Sequence, residues 1–282
     1  MSKNTKFGVL YIVATPIGNL EDISQRAINT LSMVSLCAVE NTKKSKILMN
    51  KYNIQTRLIS YEKFSEKRKL SFFISLLKKG RDIALISDAG TPLISDPGYL
   101  LVNKSLEEGI KVVPVPGPSS LISAISVAGL PVDKFVFYGF LSRQKKEREK
   151  LINDLIVDNK TSIIFESKIR IKGLLEELKN LIPERNVFLA REMTKMHESF
   201  YRGRLDEVLE EVSLDQNSLK GEFVIVIEGI EKTQNQISLS QEQKKVLEIL
   251  MLKMKKTEAL KLASKSFGIK KNSLYKFLIN EK

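Results

Sequence analysis

Short apolar runs alternate with amphipathic helical stretches along most of this chain, and the turns between them are rich in glycine and proline. Residues 9–14 form an apolar run of strand length, which reads as a strand buried on both faces. Ile23, Ala27, Leu31 and Val34 then recur at helical spacing, with Asp22 as a candidate cap. Residues 35–40 are the next expected strand. Leu70, Phe73, Ile74 and Leu77 mark a second amphipathic helix, which Gly80 ends. A strand at 83–87 stops at Asp88, a helix follows Gly98, a strand occupies 111–114, and a helix starts near Ser119. Strand–helix alternation of this kind requires a mostly parallel sheet covered by helices, so the fold class is α/β.

The pattern changes at Gly129-Leu130-Pro131. Strands are expected beyond it at 134–140, 162–165, 186–190, 198–202 and 222–228, with helices at 144–157, 169–181 and 205–212. Two of these strands follow one another directly, which implies some antiparallel pairing. The expected organisation is an N-terminal α/β domain over 1–130, a C-terminal α/β domain over 131–229, a polar linker, and a small helical module over 241–282. In that module Thr257 is a candidate cap for a helix ending at Phe267. Gly268 stands where a terminating glycine belongs, and a further short helix is expected from Asn272.

A chain of 282 residues is long enough for two domains with separate cores. Lys and Arg number 46 against 33 Asp and Glu, a formal charge of +13. Such an excess fits either an anionic partner, nucleic acid first, or a lysine-rich solvated surface. Residues 238–282 hold eleven lysines against four acidic residues, so more than half of the excess sits in the helical module. Cys37 and His197 are the single cysteine and histidine. An internal disulfide is therefore excluded and a Cys/His zinc site is not expected. Cys37 lies in an apolar run and reads as a small buried hydrophobe, and His197 as a strand or loop residue. No apolar stretch approaches the roughly 18 residues of a membrane span, and the run at 9–14 is shorter than a signal-peptide core. The expected location is the cytoplasm.

Two segments place glycine and proline where expected strands end. One is Ser87-Asp88-Ala89-Gly90-Thr91-Pro92-Leu93-Ile94-Ser95-Asp96-Pro97-Gly98; the other is Val115-Pro116-Gly117-Pro118-Ser119-Ser120. A third loop, Thr15-Pro16-Ile17-Gly18-Asn19-Leu20, follows the first strand. Ligands of open α/β sheets bind outside the carboxyl ends of strands, glycine lets backbone approach a ligand closely, and proline lowers the entropy lost on binding. One such loop is more simply a well-made turn; three on parallel strands point to a site. No GxGxxG follows the first strand and no GxxxxGK[ST] is present, so dinucleotide and P-loop readings lack support.

These strings resemble the tetrapyrrole (precorrin) methylase superfamily, and within it the branch that methylates small-subunit ribosomal RNA. The similar runs are Tyr11-Ile12-Val13-Ala14-Thr15-Pro16-Ile17-Gly18-Asn19-Leu20-Glu21-Asp22, the whole of 87–98, 114–120, Ala190-Arg191-Glu192-Met193-Thr194-Lys195 and Lys220-Gly221-Glu222-Phe223-Val224. They are spread over residues 9–229, and the helical tail is similar as well. The resemblance implies two α/β domains with S-adenosylmethionine in the cleft between them, and a homodimer. It implies methylation of the ribose 2′-oxygen of a cytidine in the 16S rRNA of the small (30S) ribosomal subunit. Carried over position by position, it puts donor contacts at Pro16, Asp88, Ala89, Gly90, Thr91, Pro116, Gly117, Ser119 and Ser120. From the second domain it adds Phe165, Glu166, Ala190, Glu222 and Phe223. The chain departs from the family twice: Glu40-Asn41-Thr42-Lys43 stands for Glu-Asp-Thr-Arg, and Phe165-Glu166-Ser167-Lys168-Ile169-Arg170 for Tyr-Glu-Ser-Pro-His-Arg.

Methyl transfer from a sulfonium is an in-line displacement that depends on holding donor and acceptor in near-attack geometry, and a ribose hydroxyl must also lose its proton. Glu40, Glu166 and Glu192 are candidate proton acceptors. Lys43, Arg170, Arg191 and Lys195 are candidate phosphate clamps; any of these can instead be a structural ion pair. Lys255, Lys256, Lys261, Lys265, Lys270 and Lys271 suit the RNA backbone. Tyr275 and Phe277 either stack on a base or pack the small helical core. No metal is expected. Two alternatives stay open: methylation of a small tetrapyrrole-like molecule, and a ribosome-binding protein that has lost catalysis.

Overall fold

The computed structural model describes residues 7–214, 216–230, 239–269, 271 and 274. It divides into two compact units, Met1–Gly229 and Ile230–Lys282.

The first unit contains two five-stranded sheets. Sheet one holds β1 (Leu10–Val13), β2 (Leu36–Val39), β3 (Leu58–Ser60), β4 (Ile83–Ile86) and β5 (Val112–Val115), in the order β3-β2-β4-β1-β5. Every pairing is parallel. The central strands β2 and β4 are buried at every position because helices cover both faces. The helices are α1 (Gln25–Met33), α2 (Thr42–Lys51), α3 (Glu66–Lys78), α4 (Tyr99–Glu107) and α5 (Ser120–Val127). One face of the sheet packs Val13, Val39 and Ile86 against Ala27, Leu31 and Leu48. The other packs Leu10, Ile83 and Leu85 against Phe73, Leu77 and Leu101. Cys37 is fully buried in the first of these cores.

Three details differ from the sequence reading. Asp22 belongs to a single 3₁₀ turn, and the cap of α1 is Ser24, whose hydroxyl accepts from the Ala27 amide. Helix α2 was not expected, because its apolar residues fall together at Ile47, Leu48 and Met49 instead of recurring along a face. Strand β3 has only three residues, too short for a periodicity to show.

Sheet two holds β6 (Phe135–Phe140), β7 (Thr161–Ser167), β8 (Asn186–Arg191), β9 (Ser199–Arg204) and β10 (Glu222–Ile227), in the order β6-β7-β10-β8-β9. Only β6 and β7 are parallel; β10 runs antiparallel between β7 and β8, and β9 antiparallel beside β8. Helices α6 (Lys145–Val157), α7 (Ile171–Lys179) and α8 (Leu205–Leu214) cover one face through Ile152, Leu175, Leu178 and Val208. The other face packs Phe188, Ala190, Val224 and Val226 against Ala124 and Ala128 at α5 and Ile17 in the loop after β1. The two sheets thus share an apolar seam.

The second unit contains α9 (Gln241–Lys253) and α10 (Lys256–Phe267) around Leu239, Leu247, Leu260, Ala263 and Leu274. Ser240 and Gln243 form a reciprocal capping box at the start of α9. Gly268 ends α10 in the left-handed conformation. Thr257 is not the cap: only Met254 and Lys255 separate the two helices, so α10 begins one residue earlier than Thr257. Lys255, Lys256, Lys261, Lys265 and Lys271 are exposed; Lys270, Asn272, Tyr275 and Phe277 lie outside the described residues.

Asn41, the first departure from the family pattern, is the N-cap of α2, and its side-chain oxygen accepts from the Lys43 and Lys44 amides. Asn and Asp serve this position about equally. Asn41→Ala is expected to lower unfolding free energy by about 1 kcal/mol and Asn41→Asp to change it by no more than about a few tenths. Denaturant unfolding of the three proteins side by side tests both.

Candidate functional site

The carboxyl ends of β4, β1 and β5 are neighbours in sheet one, so the three glycine- and proline-bearing loops meet. Thr15 and Gly90 form a two-residue antiparallel bridge, each amide donating to the other's carbonyl at 2.9 and 3.0 Å. Gly90 has φ +77, and a Cβ there would stand 3.3 Å from Ile17. A side chain is strained at that backbone conformation, and Gly90 lines the space above the sheet. The Thr91 hydroxyl donates to the Pro118 carbonyl at 3.2 Å, tying the second loop to the third. Ser119 caps α5 by accepting from the Ile122 amide.

Sheet two closes the space from the other side. Antiparallel pairing brings the start of β10 beside the ends of β7 and β8: Glu222 faces Ser167, and Phe223 lies between Glu166 and Arg191. Gly221 precedes them at φ +109, where a Cβ would overlap the Glu192 side chain at 2.5 Å. Glycine is required for that approach. The result is a cavity of about 620 Å³ between the loops of sheet one and the strand ends of sheet two, a volume suited to a cofactor-sized molecule.

Among the residues expected from sequence, Glu40, Asp88, Ala89, Gly90, Thr91, Ser119, Ser120, Phe165, Glu166, Glu192, Lys195, Glu222 and Phe223 all line this cavity. Pro16, Pro116, Gly117, Ala190 and Arg191 do not. Ala190 is buried in the seam between the sheets, and Gly117 packs beside Ala14. Arg191 donates to the carbonyls of Lys220 and His197 at 2.7 and 3.0 Å and so braces the loop that carries Glu192. Arg170 is held by Glu166 at 2.8 Å and by the Leu141 carbonyl, and Lys43 is outside the lining. Lys44, Asp96 and Phe140 line the cavity without having been singled out, and Lys168 and Ile169, from the second departure from the family pattern, line it as well. Asp96 sits inside the quoted 87–98 string, so its position was available. Phe140 ends an edge strand and carried no signal; its ring meets Phe165 edge-on at 5.8 Å.

The charges are unevenly compensated. Lys195 bridges Glu192 at 2.9 Å and Glu222 at 2.8 Å. Burial opposes ionisation of Glu192, but Lys195 and the Glu222 amide hold its carboxyl below the ordinary value. Lys44 pairs with one oxygen of Asp88 at 2.9 Å, while the other, Oδ1, is buried without a partner. Such an oxygen costs free energy until a donor reaches it. Desolvation, helped by the Asp88 charge, raises the Glu40 pKa. Asp96 is raised furthest: burial, with the nearby charges of Glu40 and Asp88, lifts it from 3.8 to about 6 against the opposing effect of the Ser87 side chain.

The family match identifies these paired α/β sheets, with a cavity between their strand-end loops, as a methylase of the tetrapyrrole type. Residues 9–209 match the family of Tetrapyrrole (Corrin/Porphyrin) Methylases. A solved uroporphyrin-III C-methyltransferase from Thermus thermophilus, complexed with S-adenosyl homocysteine, has the same fold. It is 16% identical, with a TM-score of 0.56, over 78% of this chain and 97% of that one. Within the family the similarity is much higher to proteins named ribosomal RNA small subunit methyltransferase I. The one from Buchnera aphidicola is 42% identical over 100% of this chain and 99% of its own length. The one from Haemophilus influenzae is 41% identical over 96% of each. The chain belongs to the ribosomal RNA small subunit methyltransferase I family of tetrapyrrole methylases.

The raised pKa of Asp96 has a consequence for stability. Its folded-state value lies above its ordinary one, so the folded chain binds this proton more tightly and stability is lost as pH rises through the interval between them. Asp96→Asn is expected to melt above the wild type near about pH 8 and close to it near about pH 4. Thermal unfolding of both proteins at the two pH values is the measurement.

Proposed function

We propose that the chain transfers a methyl group from S-adenosylmethionine to the ribose 2′-oxygen of a cytidine in small-subunit ribosomal RNA. The observation that carries this reading is the cavity itself. It joins the 87–98 loop to the ends of β7 and β8 and the start of β10 in a chain about 40% identical, over nearly its whole length, to named ribosomal RNA methyltransferases. Its lining fits the donor. The unpartnered Asp88 Oδ1 awaits a hydrogen-bond donor such as a ribose hydroxyl or an amine, and Gly90 lines the same wall.

In this reading Asp88, Ala89, Gly90, Thr91, Ser119 and Ser120 hold the donor from sheet one, and Phe165, Glu166, Glu222 and Phe223 from sheet two. The bound donor supplies an electrophilic methyl group on a sulfonium. The residues keep water out, fix the line of attack and leave a carboxylate free to receive the hydroxyl proton. Glu166 and Glu192, both ion-paired, serve position and charge. Lys168 and Lys195 lie on the cavity wall, where a phosphate of the target nucleotide can pair with them. The exposed lysines of α10 add phosphate contacts. The working form is a homodimer, as the family resemblance implies, acting in the cytoplasm on the 30S subunit.

The decisive assay is transfer of labelled methyl to small subunits from cells lacking the gene, with product nucleosides identified by mass spectrometry. A 2′-O-methylated cytidine is expected. Transfer to no RNA, with donor still bound, would point to another acceptor, and loss of both to a non-catalytic ribosome-binding protein. Asp88→Ala is expected to weaken donor binding about 10- to 100-fold by calorimetry while leaving the fold intact; unchanged affinity removes Asp88 from the site. Truncation after Gly229 is expected to spare donor binding, raise KM for the subunit and flatten its salt dependence. No change in either RNA parameter would make the tail purely structural.

A further inference from the structure

Six acidic side chains reach the cavity: Glu40, Asp88, Asp96, Glu166, Glu192 and Glu222. Four are ion-paired. Asp88 holds Lys44 at 2.9 Å, Glu166 holds Arg170 at 2.8 Å, and Glu192 and Glu222 share Lys195. In each of these pairs a cation already occupies the carboxylate, and Lys195 with the Glu222 amide holds the Glu192 carboxyl below its ordinary range. Glu40 and Asp96 form no ion pair among the described residues. Glu40 has one oxygen on the Asp88 amide at 3.4 Å and feels the Lys44 charge. The Ser87 hydroxyl beside Asp96 donates to the Ala89 carbonyl at 3.2 Å, and the charges nearest to Asp96, those of Glu40 and Asp88, are acidic. The loop that carries it is anchored, since the Gly98 amide donates to Glu66 at 2.7 Å.

We infer that Asp96, not one of the paired glutamates, is the general base that removes the proton from the acceptor hydroxyl. This rests on the reading of the cavity as a methyl-transfer site. An Asp96 carboxylate oxygen takes the hydroxyl proton as the oxygen–methyl bond forms. The sulfur–methyl bond breaks, its electron pair stays on sulfur to give the neutral thioether, and Asp96 later returns the proton to water. The groups that tune it are Glu40 at the end of β2 and Asp88 at the end of β4 with its partner Lys44. Across the cavity stand Lys168 and the paired Glu166, Glu192, Lys195 and Glu222. Burial and the two nearest acids lift Asp96 to about 6, close enough to neutrality for efficient proton transfer and low enough to stay ionised there.

The test is single-turnover methylation of small subunits against pH, with donor affinity by calorimetry on the same preparations. Wild type is expected to lose rate on the acid side of Asp96's titration. Asp96→Asn keeps the size and polarity of the side chain. It is expected to lose about 10²- to 10⁴-fold in rate, to lose the acid limb, and to hold donor affinity within about threefold. Ser87→Ala removes the polar side chain whose effect on Asp96 opposes that of burial, so it is expected to move the limb to higher pH. Three results overturn the assignment: an Asp96→Asn protein with near-wild-type rate and limb, one that no longer binds donor, or a limb that vanishes in Glu40→Gln but survives in Asp96→Asn. Failure of the wild type itself to methylate any RNA overturns the functional reading, and this assignment with it.

Discussion

The apolar seam between α5 and the inner face of sheet two is the contact on which the site depends. Phe188, Ala190, Val224 and Val226 are almost fully buried against Ala124, Ala128 and Ile17. Burial of that kind contributes roughly 25 cal/mol per Å² of apolar area, without directionality of its own. Direction comes from polar contacts at its edges. The Arg202 guanidinium lies over the Phe188 ring at 4.6 Å and donates to the Val127 carbonyl at the end of α5. The Asn19 amide donates to the Thr194 hydroxyl at 3.0 Å. These bonds fix where the strand ends of sheet two stand over the loops of sheet one, and therefore the width of the cavity.

Within the cavity the electrostatic pattern is asymmetric, and the asymmetry is chemically useful. Residues at the strand ends of sheet two are locked in pairs around Lys195 and Arg170. The sheet-one side keeps an orphaned oxygen on Asp88 and two carboxyls pushed toward protonation. Unsatisfied buried groups lower the stability of a folded chain; here they stand where a ligand's donors can satisfy them. Backbone strain concentrates in the same place. Four of the five described non-glycine residues at positive φ are Leu93, Ser95, Glu192 and Thr194, on the two loops that supply Asp96 and Glu192.

The departures from the family pattern separate into two kinds. Asn41 replaces a carboxylate at a helix cap, outside the cavity, where the amide oxygen performs the same bonding. Lys168 and Ile169 do line the cavity, with Ile169 largely exposed at 85%. The second exchange therefore alters the cavity wall, replacing an imidazole with an alkyl group and adding a cation.

The sequence by itself determined the elements and most of the wall of the site. Strands buried on both faces must be continuously apolar, and loops that approach a ligand must contain glycine and proline, so both leave local marks; 87–98 and 115–120 were legible for that reason. It also determined the charge bias of the helical tail. Only the tertiary structure decided which carboxylates are free and which are paired. Lys195 reaches Glu222 across 27 positions and Lys44 reaches Asp88 across 44, and no local pattern encodes a partner that distant. For the same reason Arg191 looked like part of the site and is instead a brace, while Asp96, in plain view within its motif, was not recognised. A titratable group's behaviour is set by burial and by charges within a few ångströms, and that neighbourhood exists only once β2, β4 and the loops between the sheets have come together.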